Sequence, residues 1–158
     1  MLFVLSILIT SHITAEMHAE NQPPRFNFFD SNGDLIDLQR LAGETPVVIS
    51  FFTTYCQPCR KELPFLQRQS KNGLLYKLVL VHSENVAETR LTAFLRTIGV
   101  THPVIADRDE QIARKFGINK FPYTLYIGKS GKIIRTETGF QDAHAADLIK
   151  TLAQLWDL

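Results

Sequence analysis

The chain reads as an α/β protein: one mixed central sheet flanked by helices, with a β-hairpin extension at its N-terminal side. Three observations lead there. Val47 to Phe52 is a run of β-branched and aromatic residues around Ser50, the pattern of a strand covered on both faces. Stretches of strand period and helix period then alternate, which implies a layered sheet rather than a bundle or a sandwich. Late in the chain, Tyr123 to Ile127, the turn Gly128-Lys129-Ser130-Gly131 and Lys132 to Thr138 form a strong hairpin signal, and an antiparallel hairpin makes the sheet mixed.

Taken in order, residues 1–19 are expected to be a signal peptide or N-terminal anchor. Met1 to Thr10 is apolar but too short to span a bilayer as an ordinary helix, and the small residues after it offer cleavage after Ala15 or Ala19. No Lys or Arg precedes the apolar run, so its positive flank is weak. Residues 20–24 form a linker, extended by Pro23-Pro24, and 25–158 form the domain. Arg25 to Phe29 and Leu35 to Leu38 are short strands around the turn cluster Asp30 to Asp34, and Gln39 to Gly43 adds a helical turn. After the Val47 strand, Cys56 onward shifts to helical spacing through Leu63, Phe65, Leu66 and Gln67, with Asn72-Gly73 as stop. Pro64 inside this helix is expected to kink it. Leu74 to Val81 is a buried strand, Glu84 to Ile98 an amphipathic helix stopped by Gly99, Val104-Ile105 a brief strand, and Asp107 to Phe116 a short helix. Asp142 is the expected N-cap of a last helix reaching about Leu155.

At 158 residues the chain is one domain by length, and a formal charge of +1 gives no argument for nucleic acid. Its two cysteines, Cys56 and Cys59, cannot build a disulfide scaffold. They sit where a strand-turn becomes a helix. Unpaired amides and the positive end of the helix dipole stabilise a thiolate there, and the thiolate is the nucleophile of disulfide exchange. Cys56, the first of the pair, is the candidate attacking residue and Cys59 the resolving one. Pro58 suits the first helical turn, where its missing donor costs little. Arg60 and Lys61 are long and exposed, and add little through screened charge. The alternatives are half of a zinc site, for which no second Cys pair or His spacing exists, and a structural disulfide, whose loop is too short to constrain the unfolded chain much. The strand-turn-helix context favours a redox pair. His82 reads as a satisfied surface histidine and Trp156 as a packing residue.

The stretch Phe51-Phe52-Thr53-Thr54-Tyr55-Cys56-Gln57-Pro58-Cys59-Arg60-Lys61-Glu62-Leu63-Pro64 resembles the signature of thioredoxin-fold proteins of the exported TlpA/ResA type. The preceding hairpin, the helix near Asp109 to Ile118, Phe121-Pro122-Tyr123-Thr124 and the Gly128-to-Gly131 hairpin fall in that family's order. The resemblance implies a thioredoxin fold and a thiol–disulfide oxidoreductase. It implies that Pro122 is cis and lies opposite the Cys pair, with the backbone of Phe121 pairing to an extended substrate segment beside Tyr55, Gln57 and Pro58. Glu62 would relay protons to or from Cys59. Two departures stand out: Tyr55 replaces the usual Trp, adding a phenol that either donates to the thiolate or faces solvent. Ser50 stands where relatives carry Asn or a buried acid, and a Ser is a poor proton acceptor. Expected partners are disulfides of specific exported proteins, such as apocytochrome c or copper-site assembly proteins, and a membrane or periplasmic electron donor. No cofactor beyond the Cys56–Cys59 pair, no metal, no nucleic acid and a monomeric state are expected. In an oxidising compartment such a pair acts as a reductant only if a dedicated donor keeps it reduced. The alternatives are a Cu(I) chaperone using the same cysteines, although such chaperones space them C-x-x-x-C, a peroxidase, whose Pro/Thr context is absent, and a non-catalytic binding module.

Overall fold

The computed structural model describes residues 21–72 and 76–156. The segment read as signal or anchor, and the Gly73 stop, lie outside them. Strands β1 (Asn27–Phe29) and β2 (Leu35–Asp37) form the expected hairpin as a separate two-stranded sheet. Its turn closes on Asp30, whose Oδ1 accepts from the amides of Asn32 and Asp34, with Gly33 at φ +84°. The turn also reaches the main sheet: Ser31 N donates to Val104 O at 2.9 Å, and Val104 N donates to Ser31 Oγ at 3.1 Å. Helix α1 (Leu38–Glu44) follows at once, capped by Asp37, which accepts from Arg40 N.

The main sheet has five strands in the order β5-β4-β3-β6-β7, with β3 (Val47–Phe52), β4 (Lys77–His82), β5 (Val104–Ala106), β6 (Tyr123–Ile127) and β7 (Ile133–Thr138). Pairs β3–β4 and β4–β5 are parallel; β3–β6 and β6–β7 are antiparallel. Helices α2 (Cys59–Lys71), α3 (Glu88–Thr97), α4 (Gln111–Lys115) and α5 (Ala145–Gln154) connect or follow them. The expected mixed α/β sheet is present.

Strand β3 lies at the centre, and its alternation divides the core. Val48 and Phe52 pack with Cys59, Leu63, Leu66 and Phe94 on one face, while Val47, Ile49 and Phe51 pack with Phe26, Leu38 and Ile112 on the other. A strand with two covered faces has no solvent side, which is why its sequence shows no polar alternation. Ser50, between Val48 and Phe52, faces α2 and is fully buried. Of the three N-terminal phenylalanines, Phe26 is core, Phe28 half-buried and Phe29 exposed.

Helix α2 runs through Pro64, from Cys59 to Lys71. Three expectations change. Helix α3 starts at Glu88 rather than Glu84, because Glu84 turns back to the loop after β3. Helix α4 starts at Gln111 rather than Asp107. Asp107 stays outside it, accepting from the amides of Ile112 and Ala113 at 2.9 Å each and from Ser83 Oγ at 3.0 Å. Asp142 opens a 3-10 turn (Asp142–His144) ahead of α5 and caps nothing; its carboxylate pairs with Lys61 at 2.5 Å. Trp156 is 40% exposed, with Lys129 Nζ 5.3 Å from its ring centroid. Among the described residues, no helix is long and apolar enough to cross a membrane.

Candidate active site

The turn Thr53 to Pro58 leaves the carboxyl end of the central strand and delivers its chain into α2. Cys56 and Cys59 are joined by a disulfide across it. Cys56 retains slight exposure, 6%, whereas Cys59 is fully covered, so the first sulfur is the one a partner reaches. Cys59 N, at the head of α2, donates to Cys56 Sγ at 3.2 Å. An amide donor already aimed at that sulfur is what a thiolate needs. Arg60 and Lys61 are spent elsewhere: the Arg60 guanidinium lies 5.1 Å from the Phe94 ring centroid, and Lys61 pairs with Asp142.

Opposite the turn, the Phe121–Pro122 peptide is cis, as the resemblance implies. An open groove of about 480 Å³ runs between the two, lined by Tyr55, Cys56, Asn119, Lys120, Phe121, Thr138 and Gly139. The main chain of Phe121 makes no hydrogen bond to other described residues, while Pro122 O is taken by Gly139 N at 2.8 Å. Tyr55 is 63% exposed, so its ring stands over the groove mouth on the solvent side. Gln57 and Pro58 are exposed beside it. The groove therefore brings together Tyr55, Cys56 and Phe121, with Pro122 buried behind.

Glu62 lies one helical turn beyond Cys59, on the same face of α2. It is 1% exposed, and burial pushes its carboxyl up from 4.5 to about 7, against two hydrogen bonds that favour the charged form. These come from Thr124 Oγ1 to Oε1 and from Ser50 Oγ to Oε2, both at 2.9 Å. The register of β3 on β6 sets Ser50 directly across from Thr124, so the two hydroxyls form a cradle beneath the helix. Ser50 thus takes part as a donor holding Glu62, a role its reading as a poor acceptor left out. Thr124 owes its place in the site to the strand register, which no local sequence pattern shows.

His82 corrects another expectation. It is buried at 2% exposure, not on the surface, and its Nε2 lies 3.3 Å from Glu84 Oε2. Burial lowers its pKa, so the ring is neutral and carries its proton toward the carboxylate. Glu84 in turn accepts from Thr54, in the turn before Cys56. No sequence pattern points to Glu84 as part of the site, because the turn residue it holds, Thr54, is 30 residues away.

A thiol pair at a helix start, a groove beside the more accessible sulfur and a buried acid near neutrality can carry out two-electron thiol–disulfide exchange. Comparison with known proteins agrees. The Redoxin family model matches residues 18–152. Thiol-disulfide oxidoreductase ResA of Bacillus subtilis (strain 168) is 33% identical over 118 residues, covering 73% of this chain. The chain spans 65% of that protein's own length. A thiol:disulfide interchange protein of the thioredoxin family from Chlorobium tepidum TLS superposes with a TM-score of 0.70 at 23% identity, covering 87% of this chain and 97% of that one. A secreted Mycobacterium tuberculosis disulfide oxidoreductase does so with a TM-score of 0.68 at 17% identity, covering 82% and 95%. At those identities the structural likeness establishes the fold, that of thioredoxin.

Proposed function

The chain belongs to the Redoxin family, and from that membership we propose that it is a thiol–disulfide oxidoreductase that reduces disulfides of exported partner proteins. The observation that carries this reading is the Cys59 amide held on Cys56 Sγ at 3.2 Å, with Cys59 fully buried behind it. The reduced enzyme binds an extended substrate segment in the groove, its backbone pairing with the free main chain of Phe121 and its flanks touching Tyr55, Gln57 and Pro58. Cys56 thiolate attacks one sulfur of the substrate disulfide and the other leaves as a thiolate. Cys59, giving its proton to Glu62, then attacks Cys56 Sγ, and the second substrate thiolate departs. The substrate gains two electrons and the enzyme ends as the Cys56–Cys59 disulfide, the state described here. A thiol donor in or at the membrane returns the electrons.

Export is supported by the apolar N-terminal stretch. Trapping tests the whole reading. Cys59→Ser expressed in cells is expected to hold a substrate protein as a mixed disulfide on Cys56, released by dithiothreitol, and Cys56→Ser to hold none. Absence of any trapped protein, together with no reduction of insulin by the wild-type dithiol, overturns the proposal. A potential as oxidising as that of a strong disulfide donor reverses its direction.

A further inference from the structure

Beside the active-site turn lies a second polar cluster that the exchange steps do not use. Ser83 N donates to Phe52 O at 3.0 Å, extending the β3–β4 pairing one step and bringing Glu84 against the chain that leaves β3. Glu84 Oε2 accepts from Thr54 N at 2.6 Å, from Thr54 Oγ1 at 2.8 Å and from His82 Nε2 at 3.3 Å. The Thr54 hydroxyl also accepts from Arg90 Nε at 3.0 Å, and Arg90 Nη2 lies 4.0 Å from Glu84 Oε1. The Glu84 side chain is 13% exposed, so this is no solvated surface pair.

The turn needs such a tether. Its one internal backbone bond, Cys56 N to Thr53 O, is long at 3.4 Å. Thr54 is 5% exposed, so without the carboxylate its amide would be a buried donor with no acceptor, and the turn would move to find one. Cys56 is two residues further on.

We propose that Glu84 is a positioning residue for disulfide exchange, clamping the Thr53-to-Tyr55 turn so that Cys56 Sγ stays under the head of α2. The proposal rests on Cys56 being the attacking thiol. His82 holds the carboxylate from the β4 side, and Arg90 closes the cluster from α3.

The chain has two cysteines, so a Cys59→Ser background leaves Cys56 as the sole thiol, and its alkylation by iodoacetamide against pH reads the sulfur's environment without any substrate. In that background Glu84→Ala is expected to displace the pH profile to higher pH, since a Cys56 sulfur drawn away from the amide of residue 59 is less stabilised as thiolate. In the dithiol enzyme it should lower kcat/KM for a disulfide substrate about tenfold or more, the scale of losing attack geometry. Glu84→Gln keeps an acceptor for the Thr54 amide and should recover most of both losses; Thr54→Ser should match wild type. If Glu84→Ala does not fold, Thr54→Val, which keeps the amide and removes the hydroxyl, should shift the profile in the same direction by less. An alkylation profile unchanged in both variants, or thermal destabilisation with no change in profile, overturns the proposal. A displaced profile in a chain whose wild type reduces no disulfide upholds the clamp and defeats the oxidoreductase reading instead.

Discussion

Replacing Glu62 by Gln isolates the cost of the buried acid. The unfolded carboxyl loses its proton near 4.5 and the folded one near 7. Between those values the folded chain binds more protons than the unfolded chain, so stability falls as pH rises. The contribution is intact below about pH 4.5 and lost above about pH 7. At about 1.4 kcal/mol per unit, the shift costs roughly 3 kcal/mol on the alkaline side. Gln has nearly the same shape and can bond both hydroxyls, accepting from one and donating to the other. In the disulfide form, where no thiol titrates, Glu62→Gln should match wild type in acid and exceed it by roughly 3 kcal/mol above pH 8. Urea unfolding of both proteins across the pH range measures the difference, and groups common to both cancel. A difference that stays flat with pH refutes the argument, since it would mean that Glu62 is solvated or already charged in the fold. The same variant should slow the release of reduced substrate, because Cys59 then has no acceptor for its proton.

Other substitutions test the framework. Ser50→Ala removes one of two donors that favour the charged form, and should move the Glu62 transition in the unfolding profile to higher pH, by an amount set by one hydrogen bond of about 1–3 kcal/mol. Tyr126→Phe deletes a buried hydroxyl that has no hydrogen-bond partner among the described residues, so thermal unfolding should show a neutral or slightly raised midpoint. Asp107→Ala should destabilise by about 1–3 kcal/mol in denaturant titration, since the amides of Ile112 and Ala113 and the hydroxyl of Ser83 all lose their acceptor.

What the sequence disclosed follows from the range of the forces involved. The Val47–Phe52 strand was legible because burial on both faces leaves its mark on every residue. The cysteine pair was legible because its chemistry is local, confined to one turn and one helix start. Helix starts were less so. The apolar period beginning at Val86 does not show that Glu84 is drawn to Thr54, and that side-chain bond keeps Ala87 extended (ψ 141°) and the helix waiting until Glu88. Asp107 carries the same lesson, capping α4 from beyond a turn with Glu110 at φ +55°. The cradle of Glu62 needed the pairing of Ser50 with Thr124, two strands whose sequences say nothing of each other until the register is fixed. Pro64 is tolerated because its helix is held by burial of Leu63, Phe65 and Leu66 rather than by any single backbone bond.

The two bonds between Ser31 and Val104 bear on how this domain behaves when cut. β5 is an outer strand of three residues, and the hairpin turn satisfies the free amide and carbonyl of its first residue. A chain begun at Pro46 would contain every strand of the main sheet, yet it would present that strand's main chain bare beside the apolar Ile105. Exposed strand edges recruit further strands. Such a fragment should therefore self-associate in proportion to its concentration, whereas the opposite border, β7, carries the ion pair of Arg135 and Glu137, which an incoming strand would have to desolvate. The hairpin thus covers an edge that would otherwise be open, and a piece that keeps it is expected to stay dispersed.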